Sequence, residues 1–103
     1  MRKKKILVHG TPDSLQRFFS DAVSRDFDIV AILSEENISV ELDDEKIDVI
    51  APQALSKFVY GLIDGIVITD AFTSKGLVKV FLKRGVAPHK IILWDAAQGW
   101  GKS

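Results

Sequence analysis

Four short runs of apolar and β-branched residues constrain the fold of this chain more than any other feature. The runs cover residues 5–9, 27–33, 62–69 and 90–94. Strands with apolar side chains on both faces are typical of parallel sheets, because helices cover both sides of such sheets. The runs therefore predict a buried parallel sheet.

Two stretches with helical spacing lie between these runs. Their apolar residues recur three and four positions apart, at Leu15, Phe18, Phe19, Ala22 and Val23 in the first and at Leu77, Val80 and Phe81 in the second. Thr11 and Pro12 are typical of a helix start. Gly85 is placed as the left-handed end of the second helix. A shorter helix is predicted to begin at Ala51 and Pro52.

Residues 38–50 follow a different pattern, because apolar and polar side chains alternate there. A period of two predicts a hairpin or two short edge strands with one solvated face. The whole order of elements predicts a three-layer α/β fold with helices on both faces of a parallel sheet. We expect about five strands in the order 3-2-1-4-5, with the third near residues 46–50.

The composition excludes several classes of protein. The 103 residues suit one domain. Fourteen Lys and Arg residues balance 14 Asp and Glu residues, which argues against a nucleic-acid or anionic-membrane partner. There is no Cys, so the chain has no disulfide, thiolate metal site or thiol nucleophile. With neither a membrane-spanning run nor a signal-peptide core, we expect a cytoplasmic protein.

The predicted sheet reverses its winding beside the first strand, and ligands of such sheets bind there, outside the carboxyl ends of the strands. The first bordering loop contains Gly10, Thr11 and Ser14, whose hydroxyls and amides at a helix start can bind an anion. Only Gly10 matches the three-glycine fingerprint of dinucleotide sites, and Pro12 removes an amide donor. The alternative is a capped helix without a ligand.

Two further loops border the same site. Glu35 follows the second strand, where an acidic residue binds a ribose hydroxyl in dinucleotide-binding folds, and its alternative role is that of a solvated charge. Asp70 and Thr73 follow the third run and can face a ligand, although Thr73 is equally suited to cap the next helix. The candidate binding residues are therefore Gly10, Thr11, Ser14, Glu35, Asp70 and Thr73.

The two histidines do not predict a metal site. His9 ends the first strand near the expected crevice, where it acts either as a general base or ligand contact, or as a packed structural side chain. His89 lies in a loop at the opposite end of the sheet. Two His without Cys do not form a metal-ligand pattern, and no nucleophile or P-loop motif is present. We predict no catalytic residue.

The pattern resembles the small Rossmann-like domains at the start of bacterial nucleotide-sugar and surface-polysaccharide biosynthesis proteins, which also precede methyltransferase domains. The resemblance covers about residues 4–94 and rests on the strand patterns. Its most specific part is the Gly-Val-x-Pro turn at Gly85 before the last strand. It implies a domain that binds a nucleotide, a nucleotide-sugar or NAD(P), without chemistry of its own.

Two other functions stay open at this point. One is a degenerate NAD(P)-linked sugar-modifying enzyme, with His9 or Asp70 as acid or base. The other is a structural or oligomerisation domain whose contacts use Trp100 and the edge strand. We expect a Rossmann-like domain over residues 1–95 and a tail over 96–103, in which Trp100 either folds back on the sheet or docks on a partner or a downstream domain.

Overall fold

The computed structural model describes residues 4–20, 27–36, 38–42, 44–54, 61–70, 74–95 and 99–101. Its strands are β1 (Lys4–His9), β2 (Phe27–Leu33), β3 (Val40–Leu42), β4 (Glu45–Ile47), β5 (Val49–Ile50), β6 (Gly65–Ile68), β7 (Ile91–Asp95) and β8 (Gly99–Gly101). The helices are α1 (Pro12–Ser20) and α2 (Ser74–Lys83), with 3₁₀ turns at Pro52–Ala54 and Pro88–Lys90. The α/β class predicted from the sequence is confirmed.

The main sheet has the strand order β5-β2-β1-β6-β7-β8. The first five of these strands are parallel, and β8 pairs antiparallel with β7. In chain-order numbering the parallel strands read 5-2-1-6-7 instead of 3-2-1-4-5, because the hairpin strands β3 and β4 come before the edge strand. That edge strand lies where the third strand was expected, and the parallel sheet is confirmed.

Alternate side chains of the sheet form one apolar core on each face. The α1 face contains Ile6, Val8, Leu15, Phe18, Ile32, Val67 and Trp94. The α2 face contains Leu7, Ala31, Leu33, Ile63, Ile66, Ile68, Phe81, Val86 and Ile91. The helices therefore lie on both faces, as the spacing of their apolar residues predicts.

Helix α2 ends at the predicted glycine. Gly85 has a φ of 95°, and its amide donates to the carbonyl of Leu82 over 3.1 Å. The amide of Val86 donates a hydrogen bond to the carbonyl of Phe81 over 3.0 Å, which satisfies a second carbonyl of the last turn. The short helix predicted after Ala51 begins as the 3₁₀ turn Pro52–Ala54, and residues 55–60 lie outside the described part of the chain.

The backbone of the tail adds a strand to the sheet. Trp100 pairs with Trp94, and Gly99 and Gly101 pair with Asp95 and Leu93. Of the helices in the described ranges, none combines the length and hydropathy that a membrane crossing requires.

Candidate functional site

The carboxyl ends of three strands meet where the winding of the sheet reverses. His9 at the end of β1 pairs with Leu33 of β2 on one side and with Ile68 of β6 on the other. The loops that begin at Gly10, Ser34 and Thr69 therefore leave the sheet side by side. The reversal lies between β1 and β6, since β2 and β5 are on one side of β1 and β6 and β7 are on the other.

The first loop is held by reciprocal hydrogen bonds between Thr11 and Ser14. The amide of Thr11 donates to Oγ of Ser14 over 2.9 Å, and the amide of Ser14 donates to Oγ1 of Thr11 over 3.2 Å. This arrangement satisfies free amides at the start of α1 in the manner of a capping box. Pro12 has no amide to offer. The donors that the sequence suggested for an anion are thus largely engaged within the turn.

Thr69 ties this turn to the sheet. Its Oγ1 lies 2.9 Å from Oγ of Ser14 and donates to the carbonyl of His9 over 2.9 Å. The amide of Thr69 donates to the same carbonyl over 2.8 Å. Either hydroxyl can donate in the contact between the two side chains, since Oγ of Ser14 also lies 3.2 Å from the carbonyl of Thr11. The space beside Gly10 is therefore filled by hydroxyl groups that already have partners.

His9 is a buried imidazole at the carboxyl end of β1, with 8% of its surface exposed. Within the described part of the chain, its Nδ1 is buried and has no hydrogen-bond partner. Burial lowers the pKa of His9 below its ordinary value of 6.5, and the carboxylates of Asp70 and Glu35 oppose this shift. The ring is therefore predominantly neutral at pH 7 and carries one donor and one acceptor.

The lowered pKa of His9 predicts that the free energy of unfolding decreases as the pH falls below 6.5. The unfolded chain takes up this proton first, so the contribution is complete above pH 6.5 and is lost as the pH falls through the folded-state pKa. The slope for one proton stays below about 1.4 kcal/mol per pH unit. Urea denaturation at a series of pH values measures it.

Two substitutions check that assignment. His9→Gln should flatten the pH dependence above the range where carboxylates titrate. His89→Gln, at an exposed position in the turn Pro88–Lys90, should leave it unchanged. An equal flattening by both substitutions would contradict the assignment to His9.

A groove of about 440 Å³ lies at the carboxyl ends of β2 and β5. Ser34, Glu35 and Glu36 line it from the loop after β2, and the hairpin contributes further residues, among them Lys46. Oγ of Ser34 accepts the amide of Glu36 over 3.1 Å, which fixes the bend of the loop. Glu35 and Glu36 are exposed, so their carboxylates are accessible from the groove.

A second groove of about 300 Å³ lies between α1 and the β3–β4 hairpin. Leu15 and Phe19 line it from the helix, and Ile38 and Val40 line it from the hairpin. Ile38 and Val40 also line the larger groove, so this short segment separates the two.

The structure brings together only part of the predicted binding set. Glu35 lines the larger groove, whereas Gly10, Thr11 and Ser14 form the closed turn at the start of α1 and do not line it. Asp70 acts electrostatically on His9 from the third loop, and Thr73 lies outside the described residues. Their roles in binding stay predictions.

His9 is not in the sequence-based binding set, although the sequence analysis places it near the expected crevice, either as a general base or ligand contact or as a packed side chain. A single polar side chain at the end of an otherwise apolar strand, directly before Gly10, was the available signal. Of the residues that can be placed, no group of three or more His, Asp or Glu side chains is arranged to hold a metal ion.

Comparisons with known proteins do not assign a function to this chain. No protein-family model matches the sequence, and no curated protein is significantly similar to it. The fold, the groove beside β2 and β5, and the buried His9 are therefore the observations on which a function can be argued.

Proposed function

We propose that this chain is a binding module for a nucleotide or a nucleotide-sugar in sugar or polysaccharide biosynthesis, without chemistry of its own. The observation that carries the proposal is the groove of about 440 Å³ at the carboxyl ends of β2 and β5, on the carboxyl edge of the parallel sheet. Ligands of open parallel α/β sheets bind at this edge. The volume lies within the range of small-molecule sites.

The lining of the groove suits a ligand with hydroxyl groups. The carboxylates of Glu35 and Glu36 can each accept hydrogen bonds from neighbouring hydroxyls of a ribose or a sugar ring. Lys46 supplies a cation from the hairpin side, where it can reach a phosphate. Asp48 also lines the groove from this side, so the contact with a phosphate is assigned to Lys46 alone, and the carboxylates favour a ligand rich in hydroxyl groups.

Calorimetric titration with UDP-glucose, GDP-mannose, UDP and uridine tests the proposal. We expect at least one nucleotide sugar to bind, and Glu35→Gln to raise its Kd about tenfold, as for the loss of one hydrogen bond to a charged group. Because Glu35 is exposed, the melting temperature of the free protein should change little.

Asp28→Asn is the matched control, since it also removes an exposed carboxylate from the β2 region but lies near the amino end of that strand. Its Kd should equal that of the unsubstituted protein. Failure of the whole panel to bind would contradict the proposed function, and equal weakening by both substitutions would contradict the placement of the site.

A further inference from the structure

We propose that the second groove, between α1 and the β3–β4 hairpin, holds the flat heteroaromatic base of the nucleotide. The inference rests on the proposed function and assigns the parts of the ligand to the two grooves. In this arrangement the base lies against α1, the ribose crosses the chain at Ser39, and the phosphates and sugar lie in the larger groove with Lys46 and Glu35.

The walls of the second groove are apolar on two sides. Leu15 and Phe19 line it from the helix, and Ile38 and Val40 line it from the hairpin. Phe19, Ile38 and Val40 are each only partly buried, so they keep apolar surface that a ligand can cover. A flat ring between two such walls is removed from water on both faces. Bases also stack on aromatic side chains, and Phe19 supplies one here.

The rim of this groove is polar and offers both donors and acceptors. Gln16, Ser20, Ser39 and Glu41 line it, and all four are exposed. The side-chain amide of Gln16 is both donor and acceptor, and Oγ of Ser20 can accept while it donates to the carbonyl of Gln16 over 2.9 Å. A base has its donors and acceptors on its edge and apolar faces. This division matches the rim and the walls, whereas a lipid chain would leave the polar rim without partners.

The charges of the two grooves separate the base from the phosphates. The described residues that line the second groove include no Lys or Arg, and Glu41 is the charged residue among them. A phosphate there would face a carboxylate without a cation. Lys46, which pairs with Glu41 across the hairpin, lines the larger groove. The uncharged base is therefore the part of the ligand that suits the second groove.

The two grooves share one wall, which lets a single ligand occupy both. Ile38, Ser39 and Val40 line both grooves. Ile38 and Val40 pack against the core of the α1 face, whereas Ser39 between them is exposed. The ridge is thus a single chain segment, roughly 5 Å across, with a hydroxyl on its outer side. The ribose joins base to phosphate, and its hydroxyls can bond to Ser39 as it crosses. The second groove, of about 300 Å³, is at the lower end of the range for small-molecule sites, which suits one ring system.

Methyl NMR of the intact protein, labelled in Ile, Leu and Val, tests the inference without any substitution. A bound base shifts nearby methyl signals through its ring current, which a sugar and a phosphate lack. With UDP-glucose or GDP-mannose we expect shifts at Leu15, which lines only the second groove, and at Val49, which lines only the larger one. Glucose 1-phosphate, which has no base, should leave the Leu15 signals unchanged.

Phe19→Leu removes the aromatic ring and keeps an apolar wall. It should raise the Kd of the bound nucleotide sugar about tenfold, within the range for the loss of one base–aromatic stack. Phe27→Leu is the matched control, because Phe27 is also partly buried against the core of the α1 face but begins β2 and lines neither groove. Its Kd should equal that of the unsubstituted protein.

The outcomes separate the two proposals. If a nucleotide sugar binds and the Leu15 signals stay, the inference is overturned while the proposed function stands. If glucose 1-phosphate shifts the Leu15 signals as strongly as a nucleotide sugar does, the assignment of this groove to a base is overturned. Equal weakening by Phe19→Leu and Phe27→Leu would contradict the contact between the base and Phe19. If no nucleotide or nucleotide sugar binds by calorimetry, both proposals are overturned.

Discussion

Gly10→Ala will lower the free energy of unfolding by about 3 kcal/mol, as for overpacking at a rigid site. Gly10 is buried, and a Cβ atom there would overlap Oγ1 of Thr69 and lie 2.5 Å from Oγ of Ser14. Both hydroxyls are fixed by hydrogen bonds to the turn or to the end of β1, so neither can move without losing a partner. Urea denaturation measures the effect.

Two variants make this prediction specific. Gly76→Ala in α2 adds the same methyl group where a Cβ meets no atom within 4 Å, and it should stabilise the protein by about 0.5–1 kcal/mol. In a Thr69→Ala background the cost of Gly10→Ala should fall by at least about 1 kcal/mol, because the overlapping oxygen is gone. A cost that is the same in both backgrounds would show that Thr69 is not the obstacle.

Phe18→Ala will destabilise the protein by about 4 kcal/mol, the range for a fully buried phenylalanine. Phe18 has no exposed surface and packs edge-on against Trp94, with ring centroids 5.2 Å apart and an interplanar angle of 81°. It joins α1 to the far strand β7 across the α1 face. Its loss leaves a cavity there and removes a favourable aromatic pair.

Phe19→Ala is the matched control, because Phe19 is the next residue of the same helix and is only partly buried. We expect it to cost less than half as much as Phe18→Ala. Denaturant midpoints of both variants measure the two effects. Equal losses of unfolding free energy at the two positions would contradict the packing described for α1.

The strands were predictable because burial on both faces leaves continuous apolar runs in the sequence. The third run, predicted over residues 62–69, is the least accurate: β6 covers only Gly65–Ile68. Residues 61 and 62 are helical, and the side chain of Asp64 accepts the amide of Lys5 over 2.8 Å. Ile63 is buried in the core before the strand begins, whereas Leu62 is 61% exposed, so the apolar run is longer than the strand.

The register change in β2 could not be predicted, because a continuous apolar run does not show which face of the sheet each side chain occupies. Ile6 pairs with Ile29 and Leu7 with Ala31, so Val30 has no opposite residue and is 43% exposed. An alternating strand would reveal such a change, because polar side chains would switch faces. Both faces of β2 are apolar over most of its length, so the sequence pattern contains no trace of it.

The site was predictable in position but not in its internal bonding. The winding reversal follows from the order of the elements, and it places His9, Glu35 and Asp70 in one region. The bond between Ser14 and Thr69 joins residues 55 positions apart, and no local pattern indicates it. This contact changes Ser14 from an exposed hydroxyl at a helix start into part of the support of β1.

The antiparallel pairing of β8 with β7 also affects which backbone groups at the edge of the sheet are free to pair with another chain. A terminal parallel strand presents a row of free amides and carbonyls on which a strand of another protein can add. Here three residues of the same chain occupy part of that row beside Leu93, Trp94 and Asp95. The opposite border of the sheet is the two-residue strand β5, which is too short to template a long intermolecular pairing. Both borders of the sheet are therefore short strands, of two residues in β5 and three in β8, and short edges limit pairing with strands of other chains.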